Sequence, residues 1–170
     1  DYQVLGRRGQ GEASELARPT GARVAEPACL ADHLEQRLVR GHDGLGGVRV
    51  AVQGCGTVGA AVARSLARAG AEVIVSARSE DRLRELVAEL PGKASYITVD
   101  VTDRAAVEAA AKEAGELDGV VYLAGVYWPM AAGELDNAKA DMMGEINFLG
   151  GSRVVGAVIG DMVKRDWGHI

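Results

Sequence analysis

Residues 48–70, VRVAVQGCGTVGAAVARSLARAG, constrain the fold of this chain more than any other stretch. A valine-rich run leads into three glycines, Gly54, Gly56 and Gly59, at the spacing G-x-G-x-x-G, and an alanine- and leucine-rich run then continues to Gly70. β-Branched residues favour extended backbone, whereas alanine and leucine favour helix. The stretch therefore predicts a strand over 48–52, a tight turn, and a helix over 59–70. Gly54 permits the turn, Gly56 removes a side chain where backbone would approach a ligand, and Gly59 lets the helix pack closely on the strand.

The same alternation continues. EVIVS (72–76), SYITVD (95–100) and GVVYLAG (119–125) predict three more strands. EDRLRELVAEL (80–90), stopped by Pro91-Gly92, and DRAAVEAAAKEAG (103–115) predict the intervening helices, and a long helical segment follows from about Leu135 to Arg165. Strands joined by helices of this length imply parallel pairing, and near-continuous apolar strands imply a sheet covered on both faces. The fold class expected is α/β, a Rossmann-like doubly wound parallel sheet, truncated after the fourth strand and the following helix.

Ahead of this domain (48–170), residues 1–22 are polar and lack periodicity, which predicts a flexible arm. Residues 23–47 hold a short helix, with Leu30, Leu34 and Leu38 forming one stripe between Pro27 and Gly41, followed by the loop GHDGLGG. The chain opens with Asp1 and stops at GHI, so both ends are expected to be cut. A length of 170 residues, 48% apolar and 25% charged, suits one globular domain.

Several function classes are disfavoured. A net charge of −5 is unlike the basic face of a nucleic-acid binder. No run approaches the ~18–20 apolar residues of a membrane span, and no secretory signal opens the chain. Cys29 and Cys55 form no C-x-x-C pair, and His33, His42 and His169 are dispersed, so neither a disulfide scaffold nor a metal site is expected. A cytoplasmic setting fits.

The glycine turn opens a helix whose N-terminus, approached through Thr57 and Val58, would offer free N–H groups and about half a positive charge to a pyrophosphate. The competing reading is a glycine corner that holds nothing. An NAD site usually carries Asp or Glu about 20 residues further on, to bind the adenine ribose. Here the second strand ends Ser76-Ala77-Arg78-Ser79. Arg78, assisted by the hydroxyls of Ser76 and Ser79, would pair with a 2′-phosphate, which favours NADP(H) over NAD(H). Otherwise Arg78 is a surface residue satisfied by Glu80 or Asp81. Cys55 stands at a helix N-terminus, a position that can lower a thiol pKa, but no base is evident beside it.

GAEVIVSARSEDRLRELVAEL, VDVTD, LDGVVYLAG and INFLGGSRVVGAVIGDMVKRDWGHI resemble the short-chain dehydrogenase/reductase family over residues 48–170, its N-terminal half. The resemblance implies that Asp100 contacts the adenine amino group, with Val101 beside the ring, and that Ala124 and Gly125 flank the adenosine ribose. Tyr122 and Leu123 stand where the family has two asparagines. Asn147 matches the helix asparagine that holds a water in the family's proton relay, a catalytic role. A homo-oligomer is also implied, as is a small carbonyl or alcohol substrate for the complete enzyme.

The turn itself differs from the family's usual T-G-x-x-x-G-x-G. With the preceding PTG and leucine stripe, GVRVAVQGCGTVG is similar to the nucleotide domain of glutamate, leucine and phenylalanine dehydrogenases over about residues 19–75. Tyr127, Trp128 and Met130 in VYWPM would either border a nicotinamide or substrate, or pack on the next helix. None of Tyr2, Tyr96, Tyr122 and Tyr127 has a lysine four residues on, and the family's serine would fall beyond Ile170. Cofactor binding is expected, and turnover by this chain alone is not. The alternatives are a non-catalytic dinucleotide-binding module or an interaction module pairing through an exposed sheet edge.

Overall fold

A computed structural model describes residues 44–170 except Ala132. The expected arm over 1–22 and the leucine-striped helix lie outside the described residues. Four strands, β1 (Arg49–Gln53), β2 (Glu72–Ala77), β3 (Ala94–Thr98) and β4 (Gly119–Tyr122), form one sheet in the order β3-β2-β1-β4, with every pair parallel. The helices are α1 (Thr57–Arg68), α2 (Glu80–Glu89), α3 (Arg104–Ala114) and α4 (Asn137–Lys164).

Successive residues of a strand face opposite sides of the sheet, and here both sides are covered. Val50 and Val52 of β1, with Val73 and Val75 of β2, join Val62 and Leu66 of α1 and Leu83 and Leu86 of α2 in one buried layer. Ile74, between the two β2 valines, belongs to the other layer with Val107 of α3 and Val154 and Met162 of α4. This doubly wound architecture is the one expected. The loop before β1 does more than connect. Leu45 is fully buried in the first layer, and its N–H donates to the Ala69 carbonyl at 3.1 Å.

Two strands are shorter than expected, for the same reason. β4 ends at Tyr122 instead of running to Gly125: Leu123 N–H still reaches the Gln53 carbonyl at 2.7 Å, but β1 then turns away at Gly54. β3 ends at Thr98, with Val99 N–H on the Ala77 carbonyl at 3.0 Å, where β2 leaves the sheet.

The long helix, α4, is continuous over 28 residues and includes an 18-residue window of mean hydropathy 1.2, enough to cross a membrane by length and composition only. No unbroken apolar run reaches that length, since Arg153 and Asp161 interrupt it. Its inner side packs Val154 and Met162 into the second layer, and Arg153 pairs with Glu145 at 2.6 Å. Midway, Glu145–Gly150 form a π-helical turn. After α4 the chain returns to the sheet, where His169 N–H donates to the Asp118 carbonyl at 3.0 Å and Val120 N–H to the His169 carbonyl at 2.9 Å.

Candidate functional site

In this strand order β1 connects to β2 on one side and lies against β4 on the other. Ligands of open α/β sheets bind beyond the strand carboxyl ends at such a switch point. A cleft of about 210 Å³ lies there, lined by Gly54 and Gly56 from the turn, Arg78 after β2, Asp100 and Val101 after β3, and Ala124, Gly125 and Val126 after β4. Ile146 of α4 closes it.

The three glycines meet three different demands. Gly54 has φ +99°, and a Cβ there would overlap the backbone of Ala124, with Cα at 2.6 Å. A Cβ on Gly59 would overlap the Gly54 carbonyl, whose carbon lies at 2.9 Å. Nothing lies within 4 Å of a Cβ built on Gly56. Gly56 is the N-cap of α1 and supplies no side-chain cap, so the exposed first residues Thr57 and Val58 leave the helix end open. An uncapped helix start beside an empty approach suits an anion.

Around the cleft, the Arg78 side chain is exposed and makes no hydrogen bond or ion pair with the described residues. Glu80 and Asp81, the alternative partners considered for it, pair instead with Arg84 at 2.7 and 3.3 Å. Ser76 is placed differently from its expected role. It is buried, and its hydroxyl donates to Oε1 of Gln53 inside the sheet, away from Arg78. Asp100 Oδ1 accepts from Thr102 N–H at 2.9 Å and from Thr102 Oγ1 at 2.8 Å. The Thr102 backbone N–H, more than the Arg78 charge, holds this carboxyl below its usual pKa.

At the far wall, Asn147 grips Val126 twice. Its Oδ1 accepts from Val126 N–H and its Nδ2 donates to the Val126 carbonyl, both at 2.8 Å. Asn147 Oδ1 also lies 3.4 Å from a Cβ built on Gly125. In the VYWPM loop Tyr127 is exposed, whereas Trp128 N–H donates to the Met143 sulfur of α4 at 3.5 Å. Val126 and Ile146 were not singled out from sequence, although each adjoins a residue that was.

The short chain dehydrogenase family model matches residues 49–170. The chain belongs to that family. A glycine betaine reductase of Emericella nidulans is 34% identical over 134 residues, which is 74% of this chain and 10% of that protein. An uncharacterized oxidoreductase of Staphylococcus epidermidis is 28% identical over 117 residues, 66% of this chain and 51% of the relative. Among solved structures, an actinorhodin polyketide ketoreductase with NADPH is 30% identical with a TM-score of 0.67, over 71% of this chain and 50% of that one. This short-chain dehydrogenase chain therefore spans about half the length of these last two.

Membership does not make every polar group in the site reactive. Cys55 lies in the glycine turn, yet burial pushes its thiol up to about 11, outweighing the lowering effect of a backbone hydrogen bond at Ser76. A helix N-terminus alone would push the thiol the other way. The shift predicts about 100-fold less thiolate than an ordinary cysteine near neutral pH. In a Cys29→Ala background, thiol labelling at pH 8 should be slower by about that factor in the folded chain than in urea. The same shift predicts that stability declines as pH rises from about 9 to about 11, where the unfolded thiol ionises first.

Proposed function

We propose that this chain is the NAD(P)-binding part of an oxidoreductase that moves hydride between nicotinamide and a small carbonyl or alcohol. The observation that carries this is Gly56: in a turn where its two neighbouring glycines are crowded, it alone faces open space, at an uncapped helix start. A dinucleotide pyrophosphate fits that space, and the α1 N–H groups would hold it. Bound nicotinamide supplies or accepts the hydride. Asp100 keeps Oδ2 for the adenine amino group, and Val101 borders the ring. The Ala124-Gly125 backbone flanks the ribose, and Asn147 stations the relay water.

Arg78 favours NADP(H), acting without the Ser76 hydroxyl. The setting is cytoplasmic, and the partner is a second copy of the chain. Phe148, Leu149, Ile159 and Val163 are exposed along one side of α4, and this apolar stripe suits self-association. No step is assigned to a tyrosine–lysine pair, because no tyrosine of this chain has that lysine.

The test is calorimetric titration of the chain with NADPH and NADH. Micromolar binding of either supports the cofactor reading, and a folded chain that binds neither overturns it. Replacing Arg78 with Asp should weaken NADPH on the order of 10–100-fold, the worth of one or two charge-assisted hydrogen bonds, and NADH by less than about threefold. Equal losses for both would remove the NADP preference.

A further inference from the structure

The π turn in α4 has a specific companion on the sheet. Tyr122, the last residue of β4, donates its hydroxyl to the Ile146 carbonyl at 2.5 Å. Its ring lies over two consecutive glycines of the helix. A Cβ on Gly150 would come within 2.5 Å of the Tyr122 hydroxyl and 2.8 Å of Val101 Cγ2, and one on Gly151 would sit 3.4 Å from the ring. Glycine inside a helix costs about 1 kcal/mol relative to alanine, so a pair of them calls for a packing reason, and the phenol supplies it.

The hydroxyl acts where the helix is irregular. A π turn carries one residue more than an α turn and rotates the residues that follow. The Gly151 N–H bonds to the Phe148 carbonyl, and the Tyr122 hydroxyl takes up Ile146. The next residue, Asn147, holds Val126 by both its N–H and its carbonyl. Ile146 and Val126 both line the cleft. A continuous chain of contacts thus runs from the Tyr122 hydroxyl through the π turn to the cleft wall beyond β4. Because β1 separates β4 from β2, this wall lies across the cleft from Arg78.

We propose that Tyr122 is a positioning residue: its hydroxyl sets the π turn so that Asn147 clamps Val126 and shapes the end of the cleft opposite Arg78. The proposal rests on the cofactor reading for its functional consequence but not for its geometry. Two readouts separate them. The first is amide exchange at Val126, which needs no ligand. The second is affinity for NADPH against adenosine 2′,5′-bisphosphate, a probe that has the Arg78 end of the cofactor and lacks the nicotinamide.

Tyr122→Phe keeps the ring and removes the hydroxyl. Val126 exchange should accelerate at least tenfold, and NADPH binding should weaken about fivefold or more, with the bisphosphate changed by less than twofold. Unchanged Val126 protection overturns the proposal, and so does an equal loss for both ligands, which would indicate general destabilisation. If Tyr122→Phe does not fold, Gly150→Ala displaces the phenol with the hydroxyl retained, and the same two outcomes decide. If the parent chain binds no NADPH, the cofactor reading falls and Val126 exchange alone judges Tyr122.

Discussion

Gly54→Ala is expected to lose a large share of the stability of this domain, on the order of 3–5 kcal/mol out of a typical total of 5–15. Two independent penalties meet at one atom. The backbone at φ +99° is one that L side chains rarely adopt, which costs about 1–3 kcal/mol. The added methyl would also lie on the Ala124 backbone, and no side-chain rotation relieves an overlap with main chain. Either the β1–α1 turn shifts or the segment after β4 does, and both border the cleft. Chemical denaturation should show the loss as a lower midpoint at unchanged slope. A midpoint within experimental error of the parent would show that the turn relaxes freely, contrary to the crowding described.

Gly56→Val, two residues away, should do the opposite. Its φ of −72° suits any residue, and nothing occupies the space where the side chain would go. The cost to folding is about 1 kcal/mol, the worth of a less suitable N-cap. Cofactor affinity, by contrast, should fall at least ~100-fold, because the isopropyl group fills the approach that a pyrophosphate needs. Titration with NADPH alongside thermal melting separates the effects. A variant that binds as tightly as the parent would mean that the open space at Gly56 has no ligand, and the glycine corner would be the right description.

The contrast between these two glycines shows how much could be read before any coordinates. Their spacing between a valine run and an alanine run predicts the βα unit, because local propensity and turn chemistry agree there. The alternation of later runs similarly predicts four strands and their connecting helices. Sequence also singles out Gly56 as the position to be left open, since the motif distinguishes three positions, and its Cβ direction is empty. It does not show that the Gly54 carbonyl is what Gly59 must avoid, because that contact depends on the path of the turn.

Side-chain direction was the harder matter. Ser76 and Arg78 are two residues apart, and a phosphate role for both is natural from sequence. The strand ends at Ala77, so Ser76 is still held in the sheet with Gln53 while Arg78 is released to solvent. The direction of the Cys55 shift was hidden for a related reason, since helix-end position is visible in sequence and burial is not. The π turn left a trace only as Gly150-Gly151, which reads as two weak helix formers until Tyr122 is seen lying over them.

The crowding around the glycine turn is between main-chain atoms: Gly54 against Ala124 N and Cα, and Gly59 against the Gly54 carbonyl. A junction of that kind makes no demand on the identity of neighbouring side chains, only on the absence of its own. Such a turn is an interchangeable part. Here Gly54 meets the segment after β4 through the backbone of Leu123 and Ala124, so the contact holds whatever side chains Tyr122 and Leu123 carry.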